Sequence, residues 1–252
     1  MSRKIVRTAA VTGVLVVALA TPGAAITNGV VDGDAHPAVG GLVAEEAYSD
    51  GTWLYCSGTL IAPTVFLTAA HCGDDGEAVT VTFDSDYEDG DMTYEGVFHA
   101  DPDFTHAQSD THDIAVVVLD NAVSGITPAQ LPEAGVLSGL ERGQAFTSVG
   151  YGAFDVVNGP GGKAFLYNDV RMRSVGSLLT QNKAWLRISM NPARGDGGTC
   201  YGDSGGPNFV GSTDVIGATT ITGDAVCRAT NVVYRLDTVS ARGFLSQYVA
   251  VP

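Results

Sequence analysis

The sequence predicts an all-β protein, and three observations support this fold class. Short segments rich in β-branched and aromatic residues recur along the chain, and Gly, Pro, Asp and Asn separate them. The 252 residues include 32 glycines, which suits many tight turns and argues against a helical bundle. Helical periodicity is nearly absent until the C-terminus. Many short strands at regular spacing predict a barrel or a sandwich.

The predicted elements follow in chain order. The strands cover residues 60–61, 65–67, 79–83, 114–119, 184–188 and 232–236. A short helix is expected after the last strand, with Thr238 or Ser240 as its N-cap. The side chains that this helix is expected to bury are Val239, Phe244, Leu245 and Tyr248.

The first 25 residues predict a signal peptide. Arg3, Lys4 and Arg7 form a positive start, and residues 9–20 form an apolar run that is short for a membrane span. Residues 23–25 are small, as signal peptidase requires. An uncleaved membrane anchor is the alternative interpretation. Because no later apolar stretch reaches spanning length, the mature protein is expected to be secreted and free of the membrane.

The net charge and the cysteine pattern disfavour two classes of function, nucleic-acid binding and zinc binding. A formal net charge of −15 disfavours nucleic acid as a partner. The four cysteines are Cys56, Cys72, Cys200 and Cys227, and an even number in an exported chain predicts two disulfides with three possible pairings. No Cys-x-x-Cys or Cys-x-x-His pattern indicates a zinc site.

An acidic segment at residues 84–91 has two interpretations. Clustered carboxylates suit a Ca²⁺ loop, but the EF-hand spacing is absent, with no Gly at the sixth position and no Glu at the twelfth. A solvated acidic loop is the preferred interpretation, and we predict that the protein requires no cofactor and no metal.

The chain divides into two halves at a stretch that is poor in strand signals and contains Pro128, Pro132 and Gly135. We expect one β unit at residues 26–132 and a second at residues 133–252, the latter with the terminal helix. Candidate site residues fall in both halves, so a site between the two units is expected.

Three side chains offer the groups of a nucleophilic acyl-transfer site. Ser204 lies among glycines, His71 follows a short predicted strand, and Asp113 precedes another. A serine hydroxyl needs a base of near-neutral pKa, and a carboxylate can hold the imidazole in one tautomer. Glycines around the serine permit the tight turn that points backbone N–H groups at a developing oxyanion.

Three motifs resemble those of the chymotrypsin/trypsin-like serine protease family. Residues 68–72 resemble the family's histidine motif, residues 113–115 its aspartate motif and residues 202–207 its serine motif, in the family's order. The resemblance covers nearly all of residues 26–252. It implies a secreted, bacterial-type endopeptidase with two antiparallel six-stranded β-barrels and a short C-terminal helix. It also implies protein or peptide substrates, a protein inhibitor as a further partner, and a monomer.

The resemblance assigns roles to individual residues. Ser204 is the expected nucleophile, His71 the general base and then acid, and Asp113 the orienting carboxylate. The N–H groups of Gly202 and Ser204 are the expected oxyanion hole. The expected disulfides are Cys56–Cys72 and Cys200–Cys227.

The family also pairs the residue before the nucleophile with the free α-amine of the mature N-terminus. Here Asp203 and Ile26 occupy those positions, which implies that signal cleavage after Ala25 frees the activating amine. Cleavage after Ala20 is the alternative, and it leaves a short pro-peptide that begins at Thr21.

The family resemblance also implies a specificity pocket at Gly198, Thr220, Thr222 and Val232. Gly198 carries no charge at the pocket floor, and Thr222 and Val232 are larger than the glycines of a deep pocket. Cleavage after small or medium uncharged residues is therefore expected. Thr220 also falls where its hydroxyl would reach Asp113. Two other function classes remain: a catalytically silent binding protein with the protease fold, and an esterase or effector of narrow specificity.

Overall fold

The computed structural model describes residues 26–105, 109–159 and 161–252, so the predicted signal peptide lies outside the described residues. Short strands dominate this part of the chain, as predicted. The strands are β1 Val30–Val31, β2 Val39–Val43, β3 Leu54–Ala62, β4 Val65–Thr68, β5 Ala78–Thr82, β6 Thr93–Ala100, β7 Ala115–Leu119, β8 Ala145–Gly150, β9 Asp155–Gly159, β10 Gly162–Leu166, β11 Met172–Gln181, β12 Trp185–Ser189, β13 Pro207–Val210, β14 Ile216–Gly223 and β15 Thr230–Arg235.

The first barrel is a closed ring of six antiparallel strands in the order β2-β3-β4-β7-β6-β5. Pairing of β2 with β5 closes the ring. Phe66, Leu67 and Phe98 are fully buried, as are the first valines of the apolar run in β7. The β-branched run therefore forms a strand that is covered on both faces.

The second barrel contains β8, β11, β12, β15, β14 and β13, again antiparallel. Pairing of β8 with both β11 and β13 closes it. The short strand β1 adds to β11 from outside the ring, and β9 and β10 form a separate hairpin. The prediction of an all-β fold with two six-stranded barrels is confirmed. The division at residues 132 and 133 stays a prediction.

The C-terminal helix α1, Val239–Leu245, begins where the sequence predicts. The hydroxyl of Thr238 caps it by accepting a hydrogen bond from the Ala241 N–H at 3.1 Å. Within the described residues, no helix has the length and apolar character that a membrane crossing needs.

One of the four side chains expected to be buried by this helix is exposed. Val239 is 92% exposed, whereas Ala241, Phe244 and Leu245 are buried and Tyr248 packs against them. Residues 241, 244, 245 and 248 follow the i, i+3, i+4, i+7 spacing of one helix face. Val239 lies off that face, so its expected burial was wrong.

Both disulfides form as the family resemblance implied, as Cys56–Cys72 and Cys200–Cys227. No cysteine is free in the part of the chain that the structure describes. The first bridge joins β3 to a single 3-10 turn, Ala70–Cys72, and thereby holds His71 beside the first barrel.

A buried arginine links the two barrels, and the sequence analysis did not identify it. Arg171 is 1% exposed, and its guanidinium donates hydrogen bonds to the carbonyls of Gly33, Val39 and Phe83. The same side chain lies 3.4 Å from the carboxylate of Asp32. These bonds satisfy a buried charge with several fixed acceptors, as burial of a cation requires.

Asp169 makes a second link between the halves of the chain. Its two carboxylate oxygens accept hydrogen bonds from the N–H groups of Trp53 and Leu54, at 2.6 Å and 3.1 Å. Asp169 is 4% exposed, and burial raises the pKa of its carboxyl. The carboxylate thus satisfies two backbone donors at the start of β3.

We predict that Asp169→Asn lowers the free energy of unfolding by about 1–3 kcal/mol, because an amide presents a donor to one of two buried N–H groups. Asn tolerates the left-handed backbone at this position, where φ is 53°, so the backbone itself should not be strained. Urea denaturation measures the change. The control, Asp34→Ala at an exposed position, should stay within about 0.5 kcal/mol of the wild type. Equal stability of the two variants would contradict this role of Asp169.

Candidate active site

His71 and Asp113 lie at the ends of neighbouring strands of the first barrel. His71 is in the 3-10 turn that follows β4, and Asp113 lies two residues before β7. These strands pair antiparallel, with Thr68 opposite Ala115. The end of one strand therefore lies beside the start of the other, and two residues 42 positions apart in the sequence meet.

The imidazole and the carboxylate are joined directly. Nδ1 of His71 lies 2.8 Å from Oδ2 of Asp113, and the His71 backbone N–H donates to Oδ1 at 3.1 Å. Asp113 is 7% exposed. Because a carboxylate accepts only, Nδ1 carries the proton and Nε2 is left with its lone pair. This is the tautomer that a general base requires.

Ser204 lies on a tight turn between the two barrels. The flanking glycines Gly202 and Gly205 have φ values of 95° and 79°, a region that side chains rarely occupy. At Gly205 a Cβ would overlap the hydroxyl of Thr68, so a side chain there is also excluded by space. The glycines around the serine are therefore required for two reasons: the backbone is left-handed there, and there is no space for a side chain.

The turn leaves two neighbouring backbone donors open. The N–H groups of Asp203, Gly205 and Gly206 donate to backbone carbonyls within the protein. Among the described residues, no group accepts a hydrogen bond from the N–H of Gly202 or Ser204. These are the two donors predicted for an oxyanion hole, and such donors need an acceptor supplied by a ligand.

One cavity of about 730 Å³ brings these residues together. His71, Gly202 and Ser204 all line it. In the described part of the chain, the Ser204 hydroxyl makes no hydrogen bond, to His71 or to any other group. Catalytic hydrogen bonds are often long before substrate binds, so a shared cavity is the relevant observation.

A second set of lining residues was not predicted from the sequence. Burial raises the pKa of Tyr55 to about 12 and also raises that of Tyr167, so both phenols stay neutral and able to donate hydrogen bonds. The tyrosines that line the cavity are Tyr48, Tyr55, Tyr167 and Tyr201, and of these only Tyr55 lies in a strand, β3. No sequence spacing relates these four positions.

Ser57 is a further residue that sequence reasoning missed. Its hydroxyl donates to the carbonyl of Gly202 at 2.9 Å and accepts the N–H of Tyr151 at 3.0 Å. Its backbone N–H donates to the carbonyl of Ser204 at 2.8 Å. Ser57 is fully buried in β3, next to Cys56. The first barrel thus holds the turn that carries the nucleophile. The only sequence signal for this role of Ser57 is that it is a small polar residue next to a cysteine of a disulfide.

Asp203 is fully buried and has no cationic partner among the described residues. Its oxygens accept the N–H groups of Gly152 and Cys200 at 2.8 Å and 2.7 Å. Burial outweighs these bonds and raises the pKa of Asp203 to about 7. Ile26 is also fully buried, and it is linked to the preceding residue by a peptide bond in this chain. The predicted ion pair with its α-amine therefore stays a prediction.

The segment after Ile26 docks onto the second barrel. The hydroxyl of Thr27 donates to the carbonyl of Cys227 at 2.7 Å, and the N–H of Gly198 donates to the carbonyl of Thr27 at 3.0 Å. Ile26 packs against Met172. This docking positions the start of the predicted mature chain beside the wall of the site.

The structure divides the four predicted specificity residues into two pairs. Thr220 and Thr222 line the cavity, whereas Gly198 and Val232 do not. The side chain of Met190, which the sequence analysis did not consider, packs directly on Gly198. The predicted floor of the pocket is therefore covered.

The Thr220 hydroxyl bonds to Asn208 and not to Asp113. It accepts a hydrogen bond from Nδ2 of Asn208 at 3.0 Å, and Asn208 in turn bonds to Ser148 and Asn231. The expected bond to Asp113 is absent between these two described residues. A buried asparagine needs acceptors for its amide, and this need orients the threonine.

One carboxylate of the acidic segment at residues 84–91 bonds to the segment's own backbone. Asp91 accepts the N–H of Glu88 at 2.8 Å. In the described ranges, groups of three metal-ligating side chains occur elsewhere, and none includes a residue of this segment. One such group contains the sulfurs of the Cys56–Cys72 disulfide, which are not free to bind a metal.

Comparisons with known proteins agree with this fold. The family model named Trypsin matches residues 34–240. A solved structure titled "HL collagenase structure at 1.7 Å resolution" matches with a TM-score of 0.63 and 17% identity, over 89% of this chain and 95% of that chain. At this identity the likeness shows the fold alone. No curated protein sequence is detectably similar to the chain.

Two closed barrels with a histidine–aspartate pair and a serine at one cavity define the class of the protein as a serine endopeptidase. The chain belongs to the trypsin family, since the family model matches most of its length.

We predict that Ser57→Ala lowers kcat by about 10- to 100-fold with little change in KM, because the turn that carries the open N–H groups loses the hydroxyl bond to the carbonyl of Gly202. Hydrolysis of a chromogenic peptide, normalised to titrated active sites, measures the effect. Ser246→Ala, on the exposed end of α1, is the control and should match the wild type. Unchanged kcat in folded Ser57→Ala would contradict this positioning role.

We predict that a chain beginning at Thr21 loses stability as pH rises from 3.8 to about 7. The raised pKa means that the folded state favours the protonated carboxyl of Asp203, so its contribution is present below pH 3.8 and disappears as the carboxyl ionises. A chain beginning at Ile26 should lack this loss, because an α-amine there would pair with the carboxylate.

Urea denaturation across this pH range tests the prediction, with Ser204→Ala in both chains to prevent self-digestion. Asp203→Asn in the longer chain is the control and should remove most of the pH dependence. Identical pH profiles for the two chain lengths would show that the amine does not reach Asp203.

Proposed function

We propose that this chain is a secreted serine endopeptidase that hydrolyses peptide bonds through an acyl-enzyme on Ser204. The observation that carries the proposal is the 2.8 Å bond between His71 and Asp113 at a cavity that Ser204 also lines. The predicted signal peptide and two disulfides support export to an oxidising compartment.

The first step is attack by the Ser204 hydroxyl on the carbonyl carbon of the scissile bond. Nε2 of His71 takes the hydroxyl proton, and Asp113 stabilises the imidazolium that forms. The short bond between Nδ1 and the carboxylate keeps Nε2 directed at the cavity. Because Asp113 bonds to Nδ1, Nε2 is the nitrogen that exchanges protons with Ser204 and the substrate.

The negative charge then develops on the carbonyl oxygen. The N–H groups of Gly202 and Ser204 receive it, which is why their lack of protein acceptors matters. His71 next gives its proton to the leaving amine, and the amine departs. Water, deprotonated by the same imidazole, hydrolyses the ester on Ser204 and restores the enzyme.

Activation depends on the N-terminus in this proposal. Cleavage after Ala25 frees the amine of Ile26, which would pair with the buried carboxylate of Asp203 and remove the cost of an unpaired charge. The docking of Thr27 beside Gly198 and Cys227 supports this, since it already holds the segment at the second barrel. Cleavage after Ala20 remains the alternative.

The proposed specificity is for small or medium uncharged residues on the acyl side of the scissile bond. Thr220 and Thr222 line the cavity, and Gly198 offers no charge to a basic side chain. Protein or peptide substrates, a protein inhibitor as partner and a monomeric state complete the proposal. No cofactor takes part in any step.

Two rival functions make different predictions. A silent binding protein with this fold would not need the His71–Asp113 bond or the open N–H pair. An esterase or effector of narrow specificity would use the same triad on a different substrate. The bonded pair favours catalysis over binding alone.

We predict that a fluorophosphonate probe labels wild-type protein at Ser204, and that Ser204→Ala abolishes the labelling. His71→Ala should lower the labelling rate by about 10³-fold or more, because the base is lost. Mass spectrometry of the labelled peptide and casein hydrolysis measure the two outcomes. Ser246→Ala is the matched control and should label normally. A folded wild type that neither labels nor cleaves casein would favour the binding protein.

A further inference from the structure

The space beside Gly198 is already filled by one side chain. A Cβ built on Gly198 would overlap Cγ and Sδ of Met190 and would lie 2.8 Å from its Cβ. Real Cβ atoms essentially never approach another heavy atom so closely. The methionine therefore occupies the volume where a side chain at position 198 would lie.

The other end of the same methionine reaches towards the cavity. Its Cε lies 3.6 Å from the position that a Cβ on Gly223 would take, and Gly223 lines the cavity. Met190 itself is fully buried. The side chain therefore extends from Gly198 to the layer directly behind the cavity wall, which explains why Gly198 is not part of that wall.

The backbone fixes the direction of this side chain. Met190 follows β12, and its N–H donates to the carbonyl of Ala229 at 3.0 Å. The preceding residue, Ser189, pairs with Thr230 of β15. The strand pairing fixes the backbone at this end of β12, and it therefore fixes the direction in which the Cα–Cβ bond of Met190 points.

We propose that Met190, and not the residue at position 198, sets the depth and chemistry of the specificity pocket. This inference rests on the proposed endopeptidase function. The methionine closes the space that a large acyl-side residue would need, and its thioether offers nothing to a cationic one. Substrates would therefore carry a small uncharged residue at the cleaved bond.

The first experiment shortens the methionine in steps. Met190→Leu, Met190→Val and Met190→Ala are compared on three peptides that differ only in the acyl-side residue, which is Ala, Leu or Phe. The ratio of kcat/KM for Phe to that for Ala should rise by about 10-fold or more in Met190→Ala, and less in Met190→Val. Met190→Leu keeps most of the volume and should keep the wild-type ratio.

A matched control removes the same atoms elsewhere. Met172 is also fully buried but packs against Ile26 and does not contact Gly198 or Gly223, so Met172→Ala should leave the Phe-to-Ala ratio unchanged even if stability falls. An unchanged ratio in both Met190→Ala and Met190→Val would overturn the proposal. If Met190→Ala does not fold, the Met190→Val comparison still decides.

The second experiment tests the overlap directly. Gly198→Asp alone should not give cleavage after Arg, because the new side chain meets Met190. Gly198→Asp combined with Met190→Ala should cleave an Arg peptide at least 10-fold faster than the single variant, since space and charge are then both present. Equal cleavage after Arg by the single and double variants would show that the methionine does not block position 198.

Labelling of Ser204 separates this proposal from the function on which it rests. Every kcat/KM is expressed per Ser204 labelled by the fluorophosphonate. A wild type that does not label defeats the endopeptidase proposal. Normal labelling with acyl-side ratios that do not respond to Met190 defeats only the assignment of the pocket.

Discussion

The turn that carries Ser204 is held from both sides, and the geometry of the site depends on this clamp. From the first barrel, the N–H of Ser57 bonds to the carbonyl of Ser204 and its hydroxyl bonds to that of Gly202. From the second barrel, Thr220 exchanges two hydrogen bonds with the turn, at Gly205 and Gly206. Because the base and its carboxylate belong to the first barrel, this clamp holds the nucleophile at the cavity that they line.

Burial of charge is the second constraint on the molecule. Arg171 and Asp169 are buried where the two halves of the chain meet, and each is satisfied by fixed backbone groups. Asp203 differs, because two N–H groups do not offset its complete burial and its pKa rises to about 7. The Asp203 carboxylate next to the nucleophile therefore has no cationic partner among the described residues, and a newly formed α-amine would stabilise its charged form. The cost of burying a charge thus explains both roles. Arg171 is fully paired and stabilises the fold, whereas Asp203 lacks a cation and can respond to the cleavage that frees an amine.

The cavity is lined by residues of different character. Thr220, Thr222 and Gly223 line it, with Met190 buried behind Gly223, and four tyrosines line it as well. Depth beside Gly198 is limited by the methionine that follows β12, and not by a residue in the serine motif. Specificity in this chain is therefore a property of packing between strands as well as of the residues that touch substrate.

The sequence by itself determined the all-β class, six of the fifteen described strands, the place of the terminal helix and the identity of the His71–Asp113 pair. These features depend on local patterns or on motifs whose chemistry needs particular residue types. Tertiary structure alone decided that the Thr220 hydroxyl bonds to Asn208 and not to Asp113, and that Met190 covers Gly198. Each of these depends on contacts between residues from separate elements. No periodicity or spacing encodes such contacts, because they arise only when the strands close into barrels.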